Sequence, residues 1–336
     1  MILVLLAALG WSAGALQRPA SIGAVTQSSA AGQAGDFALY GRIAQRVADG
    51  EGYYAAALDE QRMGGYPTRP FVTVRLPTLA WLNAAVGRNG TSIMAIALLF
   101  AAILAWQRAL ADEHAAERIA ATVFIFLGGL AAFEPRAGLA HELVAGLLLA
   151  LAMALRRAGH WLLALLALAA ALAVRELALA FALLWLALAA ADRRWPEVAA
   201  LGVVIGLFAL GLWLHYLGVT AQRLPGDRPS SGWAGLEGPR LVLDALVRLT
   251  PLVALPGWLA GPLAVLPLLG WAALGGRLGL LACLWFAGFA AVVAVLARAD
   301  NFYWAMLLLP AYAAGLAFVP RALADLAAAL RGKRMA

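Results

Sequence analysis

The chain is poor in charge, in lysine and in cysteine, and each shortage excludes something. Only 13% of its 336 residues are charged while 64% are hydrophobic, against about 25% and 45–50% in soluble domains, so a water-soluble globular fold is excluded. Cys283 is the only cysteine. It rules out an intramolecular disulfide and a cysteine-based metal site, and its place in an apolar run reads as packing. Lys333 is the only lysine, so the formal net charge of +7 is carried by arginine, and the positions of those arginines say more than their total. No P-loop or dinucleotide glycine pattern is present, which argues against a soluble nucleotide-binding domain. No apolar run alternates at period two as a barrel strand would. No segment repeats in the manner of the paired halves of many transporters.

What is present is a series of apolar runs approaching the roughly 20 residues with which a helix crosses a bilayer. They predict an all-α polytopic membrane protein. Candidate spans fall at 91–107, 119–133, 138–155, 161–174, 177–191, 198–217, 252–274, 279–297 and 303–319, and with the apolar run 2–16 they make about ten. No Lys or Arg precedes that first run, so it reads as a retained helix and not a cleaved signal. The stretch 161–191 would be about 46 Å long as one straight helix, too long for a single crossing of a ~30 Å core. Two short passes with Arg175 and Glu176 at the turn resolve this.

Arginine excess orients the bundle. With Arg156, Arg157, Arg193, Arg194, Arg277 and the tail (Arg321, Arg331, Lys333, Arg334) in the cytoplasm, strict alternation puts the 17–90 and 218–250 loops outside. Residues 1–320 then form one transmembrane domain containing those two loops, and 321–336 a basic cytoplasmic tail.

The polar insert from Gly35 to Pro77 stands out in so apolar a chain. Residues 17–35 read as loop and 36–49 as a helix lying on the membrane, with Phe37, Tyr40, Ile43 and Val47 on one face and Arg42 and Arg46 on another. Residues 76–87 are apolar but short, and read as a second surface helix. Arg69 and Arg75 gather near prolines. The expected topology also brings Glu134, Arg136, His141, Glu142, Arg298 and Asp300 to the outer side.

This layout resembles the GT-C superfamily of membrane glycosyltransferases, which includes protein O-mannosyltransferases and the aminoarabinose transferase of lipid A. The features that carry the likeness are a first helix, then a large outer loop opening on Asp36 and Tyr40, and a proline-rich segment (TRPFVTVRLPTLAWL) leading to a surface helix and the second span. They continue with His141 and Glu142 opening a later span, Arg175 between two short spans, and a late Arg298 followed by Tyr303 and LLLP at Pro310. The paired Asp-Glu common in that family is absent, since Phe37 follows Asp36, which leaves the acceptor class and a divalent metal open.

The resemblance implies an enzyme of a bacterial inner membrane that takes a sugar from a polyprenyl-phosphate donor to a lipid, glycan or protein acceptor at the extracytoplasmic face. It implies no nucleic-acid partner. Asp36 would be the catalytic carboxylate, Arg69, Arg75, Arg175 and Arg298 would meet the donor phosphate, and Tyr40, Glu134, His141, Glu142 and Tyr303 would line the substrate. The chemistry of the residues is compatible. Such a transfer needs a carboxylate to orient or deprotonate the acceptor and cations for the departing phosphate.

Each residue also has a plainer role. Asp36 could cap the helix starting at Phe37. Arg69 and Arg75 could meet lipid headgroups or loop carboxylates, and Arg175 could pair with Glu176, Glu134 or Glu142. The aromatics after Arg298 could form an interfacial belt, and His141 and Glu142 could cap a helix end. Tyr53, Tyr54 and Tyr66 could stack on a sugar or anchor the loop at the interface. A transporter or lipid flippase is the competing reading, and a non-catalytic membrane scaffold the third.

Overall fold

The computed structural model describes residues 2–16 and 22–333. Residues 17–21 of the expected first loop and Arg334 of the tail lie outside the described residues. Among the described residues there is no β-strand, only an isolated bridge between Arg69 and Pro229. The helices in chain order are α1 (Ile2–Ala15), α2 (Ile22–Ala48), α3 (Tyr53–Met63), α4 (Thr78–Ala109), α5 (Ala115–Gly128), α6 (His141–Arg157) and α7 (Trp161–Val174). They continue as α8 (Leu179–Ala191), α9 (Trp195–Ala221), α10 (Pro239–Arg248), α11 (Gly257–Leu274), α12 (Gly276–Leu296), α13 (Leu309–Tyr312) and α14 (Val319–Lys333). The chain is an all-α, multi-pass membrane protein. Among the described residues five helical segments, Phe71–Ala109, Trp195–Ala221, Gly257–Leu274, Gly276–Leu296 and Leu309–Arg331, are long and apolar enough to cross a bilayer.

The remaining apolar helices are short. At 1.5 Å per residue the 14 residues of α7 reach about 21 Å. The break after α7 is made by Arg175, whose backbone is extended (φ −147°, ψ 116°). Glu197 at the start of α9 ties two neighbouring helices together: Arg156 in the last turn of α6 and Trp185 in the middle of α8 both donate to its carboxylate, at 3.4 and 2.9 Å. α4 is likewise interrupted, at Gly87 (φ 74°). Buried Asn83 and Thr91 lock that kink, the Thr91 hydroxyl donating to the Asn83 side-chain Oδ1 at 2.8 Å and Asn83 Nδ2 donating to the Gly138 backbone carbonyl at 3.1 Å. Where two apolar helices meet without water to drive them together, small residues allow close approach. Gly270 on α11 and Gly315 illustrate this: a Cβ on Gly270 would stand 1.7 Å from the Gly315 carbonyl oxygen.

Ion pairs sort the connections into two ends. At one end Arg321 meets Glu113 at 2.6 Å, Arg157 meets Asp112 at 3.7 Å, Arg194 meets Glu197 at 2.6 Å, and Arg277 pairs with Asp192. The other end holds α2, α3 and the segments around Glu142, Arg175, Asp227 and Arg298.

Several sequence expectations are corrected here. Residues 22–35 are not loop: α2 begins at Ile22, so Asp36 lies inside a helix and is not its N-cap. The apolar face of α2 meets protein and not lipid, because Leu39 and Ile43 are buried with Tyr53, Leu58, Val74 and Val219. Its other face pairs with carboxylates, Arg42 with Glu60 and Arg46 with Glu51, both at 2.6 Å. The 218–250 loop contains α10, whose Leu241, Leu243 and Leu246 are buried. The last apolar run is a series of 3-10 turns and short helix, Pro310 lacking the amide a continuous helix would use, and α14 carries helix through the stretch expected as tail.

Candidate functional site

α2 offers Asp36 and Tyr40 one turn apart on the same face. Opposite them comes Arg75, from the extended chain before α4. Tyr53 fixes that chain by donating to the Arg75 carbonyl at 2.5 Å. The Arg75 guanidinium donates to the Tyr40 hydroxyl at 3.0 Å and to the Tyr303 hydroxyl at 3.3 Å. Behind them, at the start of α6, Glu142 accepts from Arg175 Nε at 2.7 Å and stands 3.6 Å from Arg75. Arg175 also pairs with Glu176, is 1% exposed, and places its guanidinium 6.0 Å from the Trp304 ring centre.

These groups surround one cavity of about 570 Å³, within the range of small-molecule sites. Asp36, Tyr40, Arg75, Arg175, Arg298 and Tyr303 all line it. They come from α2, the stretch before α4, the hairpin turn and the 3-10 segment after α12. Its apolar walls include Leu39, Val72, Leu177, Val292 and Leu296. Glu142 faces a small adjoining pocket of about 20 Å³ shared with Asp36, Tyr40, Arg75 and Tyr303, room for about one water molecule.

Other expected residues stand apart from the cavity wall. Arg69 is exposed, and its backbone pairs with the 228–230 stretch, Ser230 N–H donating to the Arg69 carbonyl at 2.6 Å. Glu134 is exposed in the connection before α6. His141 is buried behind Tyr40, ring centres 4.9 Å apart and edge to face, with Nδ1 3.1 Å from the Leu139 carbonyl. It supports Tyr40 and does not reach the cavity wall. Among the described residues no group of three or more His, Cys, Asp or Glu side chains is placed to hold a metal ion.

Sequence reasoning missed Gln61, Thr73, Ser230 and Trp233, all lining the cavity. The polar run Ser230-Ser231-Gly232-Trp233 in the 218–250 connection is the available signal for the last two. Ser231 accepts a hydrogen bond from Arg298, and among the described residues no ion pair forms on Arg298.

The electrostatics follow from enclosure. Burial raises the Asp36 carboxyl above its ordinary value of 3.8, although the Arg75 guanidinium and the Tyr66 hydroxyl pull it down. Burial raises the Tyr40 hydroxyl well above its ordinary value. Tyr66 is pushed up to about 12 by burial and by the Asp36 charge, so at neutral pH it keeps its proton. The cavity thus combines three carboxylates, Asp36, Glu176 and Asp300, with three guanidinium groups and a ring of aromatic side chains, and among these carboxylates burial raises that of Asp36.

Compared with protein-family models, curated proteins and solved structures, the chain matches none of them.

Proposed function

We propose that this chain is an integral membrane glycosyltransferase that moves a sugar from a polyprenyl-phosphate donor to an acceptor at the extracytoplasmic face of a bacterial inner membrane. The observation that carries the reading is the meeting of Asp36 with Arg75, Arg175 and Arg298 in one cavity, although they lie far apart in the chain. In the step proposed, the acceptor oxygen or nitrogen attacks the anomeric carbon and its proton passes to the Asp36 carboxylate. The bond between that carbon and the phosphate oxygen breaks, and the electron pair leaves with the phosphate. Arginines suit this leaving group because guanidinium offers a planar fork of donors to phosphate oxygens. Inversion at the anomeric carbon follows from a single displacement.

A second feature supports a lipid-linked donor. An apolar groove of about 400 Å³ runs along α7 and α9, lined by Leu76, Leu172, Val204, Leu207 and Phe208. Leu76 follows Arg75 directly and Leu172 precedes Arg175 by three residues, so a phosphate at the arginines leaves its hydrocarbon tail beside this groove. The two separated ends of ion-paired connections support an arrangement in which both long loops lie on one side. The acceptor is a lipid, glycan or protein, and a divalent metal remains an addition the assay tests.

The test is reconstitution in liposomes with a labelled polyprenyl-phosphate sugar and a panel of acceptors, with and without Mg²⁺ or Mn²⁺. Release of polyprenyl phosphate with a labelled product is the expected result. Transbilayer movement of the intact donor without bond cleavage would replace this reading with the flippase.

A further inference from the structure

We infer that His215 and Gln61 join Tyr53 in a cradle of hydrogen-bond donors that positions Arg75. The inference rests on the proposed role of Arg75 at the donor phosphate and adds what aims its guanidinium. Where the chain leaves the turn at Phe71–Thr73, three successive carbonyls each accept from a side chain of another element. Gln61 Nε2 of α3 donates to the Thr73 carbonyl at 3.1 Å, His215 Nε2 of α9 to the Val74 carbonyl at 3.1 Å, and the Tyr53 hydroxyl of α3 to the Arg75 carbonyl at 2.5 Å. All three donor residues are buried. A carbonyl only accepts, so the imidazole of His215 carries a proton on Nε2.

The need for such donors follows from the backbone. Val74 is extended (φ −85°, ψ 125°), and among the described residues no strand lies beside it. Buried carbonyls require partners, and here side chains stand in for a sheet ladder. An extended chain sends alternate residues to opposite sides. Thr73 and Arg75 line the cavity, whereas Val74 is buried in the cluster of Leu39, Tyr53 and Leu58, and Leu76 lines the apolar groove. Gln61 also lines the cavity and His215 the groove, so the cradle is part of the partition between the two. The close approach of α3 to α9 depends on Gly218, one turn beyond His215, where a Cβ would run into the Tyr54 ring. Tyr54 and Phe71 pack on the imidazole with ring centres 5.6 and 5.9 Å away and hold its orientation.

Arg75 is thereby held at both ends. Its main chain is pinned by the cradle, and its guanidinium meets the Tyr40 and Tyr303 hydroxyls and Glu142. A phosphate then meets a guanidinium already aimed, and the ordering cost is not charged to binding. Removing one donor leaves a buried carbonyl unpaired and the chain free to shift. The shift should show at Arg75 and not at Arg175, which is held by Glu142 and Glu176 and receives nothing from the cradle.

Phenylglyoxal labelling of the full-length protein in liposomes, read at each arginine by peptide mass spectrometry, follows the Arg75 guanidinium without turnover or ligand. In His215→Leu, Gln61→Leu and Tyr53→Phe the labelling rate at Arg75 should rise about fivefold, the equivalent of one hydrogen bond, while Arg175 stays protected. His215→Gln, whose amide nitrogen reaches the same carbonyl, should label as slowly as wild type. In a titration with undecaprenyl phosphate, His215→Leu should weaken binding about fivefold in the wild-type background and not at all in Arg75→Gln, the non-additivity of a residue that acts through another. Arg75 labelling unchanged in the three variants overturns the inference. So does an equal rise at Arg175, which marks general loosening, or His215→Gln labelling as fast as His215→Leu, which marks lost packing. A weakening by His215→Leu that persists in Arg75→Gln would take His215 out of the cradle and assign it to the hydrocarbon tail. A wild type that binds no undecaprenyl phosphate but shows the Arg75-specific labelling would overturn the proposed function and leave the cradle standing.

Discussion

Glu142 Oε1 lies between two arginines, 2.7 Å from Arg175 Nε and 3.6 Å from Arg75 Nη2. The three belong to separate stretches of the chain, so one buried carboxylate ties the start of α6 to the hairpin turn and to the segment before α4. It also cancels part of the positive charge that the cavity presents. Glu142 is a partner of the arginines behind the cavity wall and lines only the small adjoining pocket, while Tyr40 and Tyr303 also line the main cavity.

Removing that carboxylate should therefore weaken the fold before it weakens chemistry. Breaking a buried ion pair by deleting one partner costs about 3–5 kcal/mol, and Glu142→Ala should lower the thermal midpoint in detergent accordingly. Glu142→Gln keeps a hydrogen-bond acceptor and should lower it less. An unchanged midpoint in Glu142→Ala would show that Glu176 alone suffices to hold Arg175.

How much of this was legible beforehand depended on what each residue was surrounded by. Arg175 stood out because a charge between two apolar runs needs a partner, and the structure supplies Glu142 and Glu176. Arg69 and Arg75 looked alike in sequence, both beside prolines. What separates them is the turn at Phe71–Thr73 and the pairing of Arg69 with Arg228 and Ser230, a long-range contact that no local pattern announces. The start of α2 was missed because its run of small and polar residues carries neither span-like hydropathy nor a capping signal. α10 was missed because a 10-residue helix has too little hydropathy to register as a span. Its cues were Pro239 at the helix start and Leu241, Val242, Ala245 and Leu246 at helical spacing.

The two ends defined by ion pairs give a topological prediction. Reporter fusions within 218–238 and after Glu51 should be active only as extracytoplasmic reporters, and fusions after Ala158 or Arg331 only as cytoplasmic ones. An active cytoplasmic reporter after Glu51 would put the cavity on the wrong side for a lipid-linked donor presented from outside.

Asp227 predicts how the 222–238 loop responds to acid. Its carboxylate accepts from Arg62 at 2.8 Å and from the Leu224 N–H at 3.0 Å, and is 3% exposed. The Arg62 hydrogen bond holds it down to about 2 from an ordinary 3.8. A lowered folded value means that this contribution is complete above the ordinary value and is lost as pH falls through the folded one. The loop should accordingly stay attached to α3 at pH 4 and loosen as pH falls toward 2. Asp227→Asn should loosen it at neutral pH by about 2 kcal/mol. Limited proteolysis between residues 222 and 238 measures both, and equal resistance of wild type and Asp227→Asn would remove the strap role from this pair.

Asp36 has the opposite sign, and this separates the site from the scaffold on acidification. Its carboxyl is raised by burial, so whatever stability its titration contributes is present below the ordinary value and declines as pH rises through the folded one. Activity behaves the other way, because the ionised form is the one that takes the acceptor proton. As pH falls, transfer should fail at a pH above that expected for an exposed aspartate, while the Asp227 strap is still closed. Asp36→Asn removes the proton acceptor and should lower kcat by about 10²–10⁴-fold. Its effect on Tm should be small, since Asp36 lies within α2 and Asn and Asp have similar helix propensities, while a desolvated charge is removed. The decisive comparison is the pH dependence of kcat/KM in wild type and Asp36→Asn, measured with thermal melts on the same preparations. Residual activity in Asp36→Asn that keeps the wild-type acid limb would assign the limb to another group and take Asp36 out of the proton transfer.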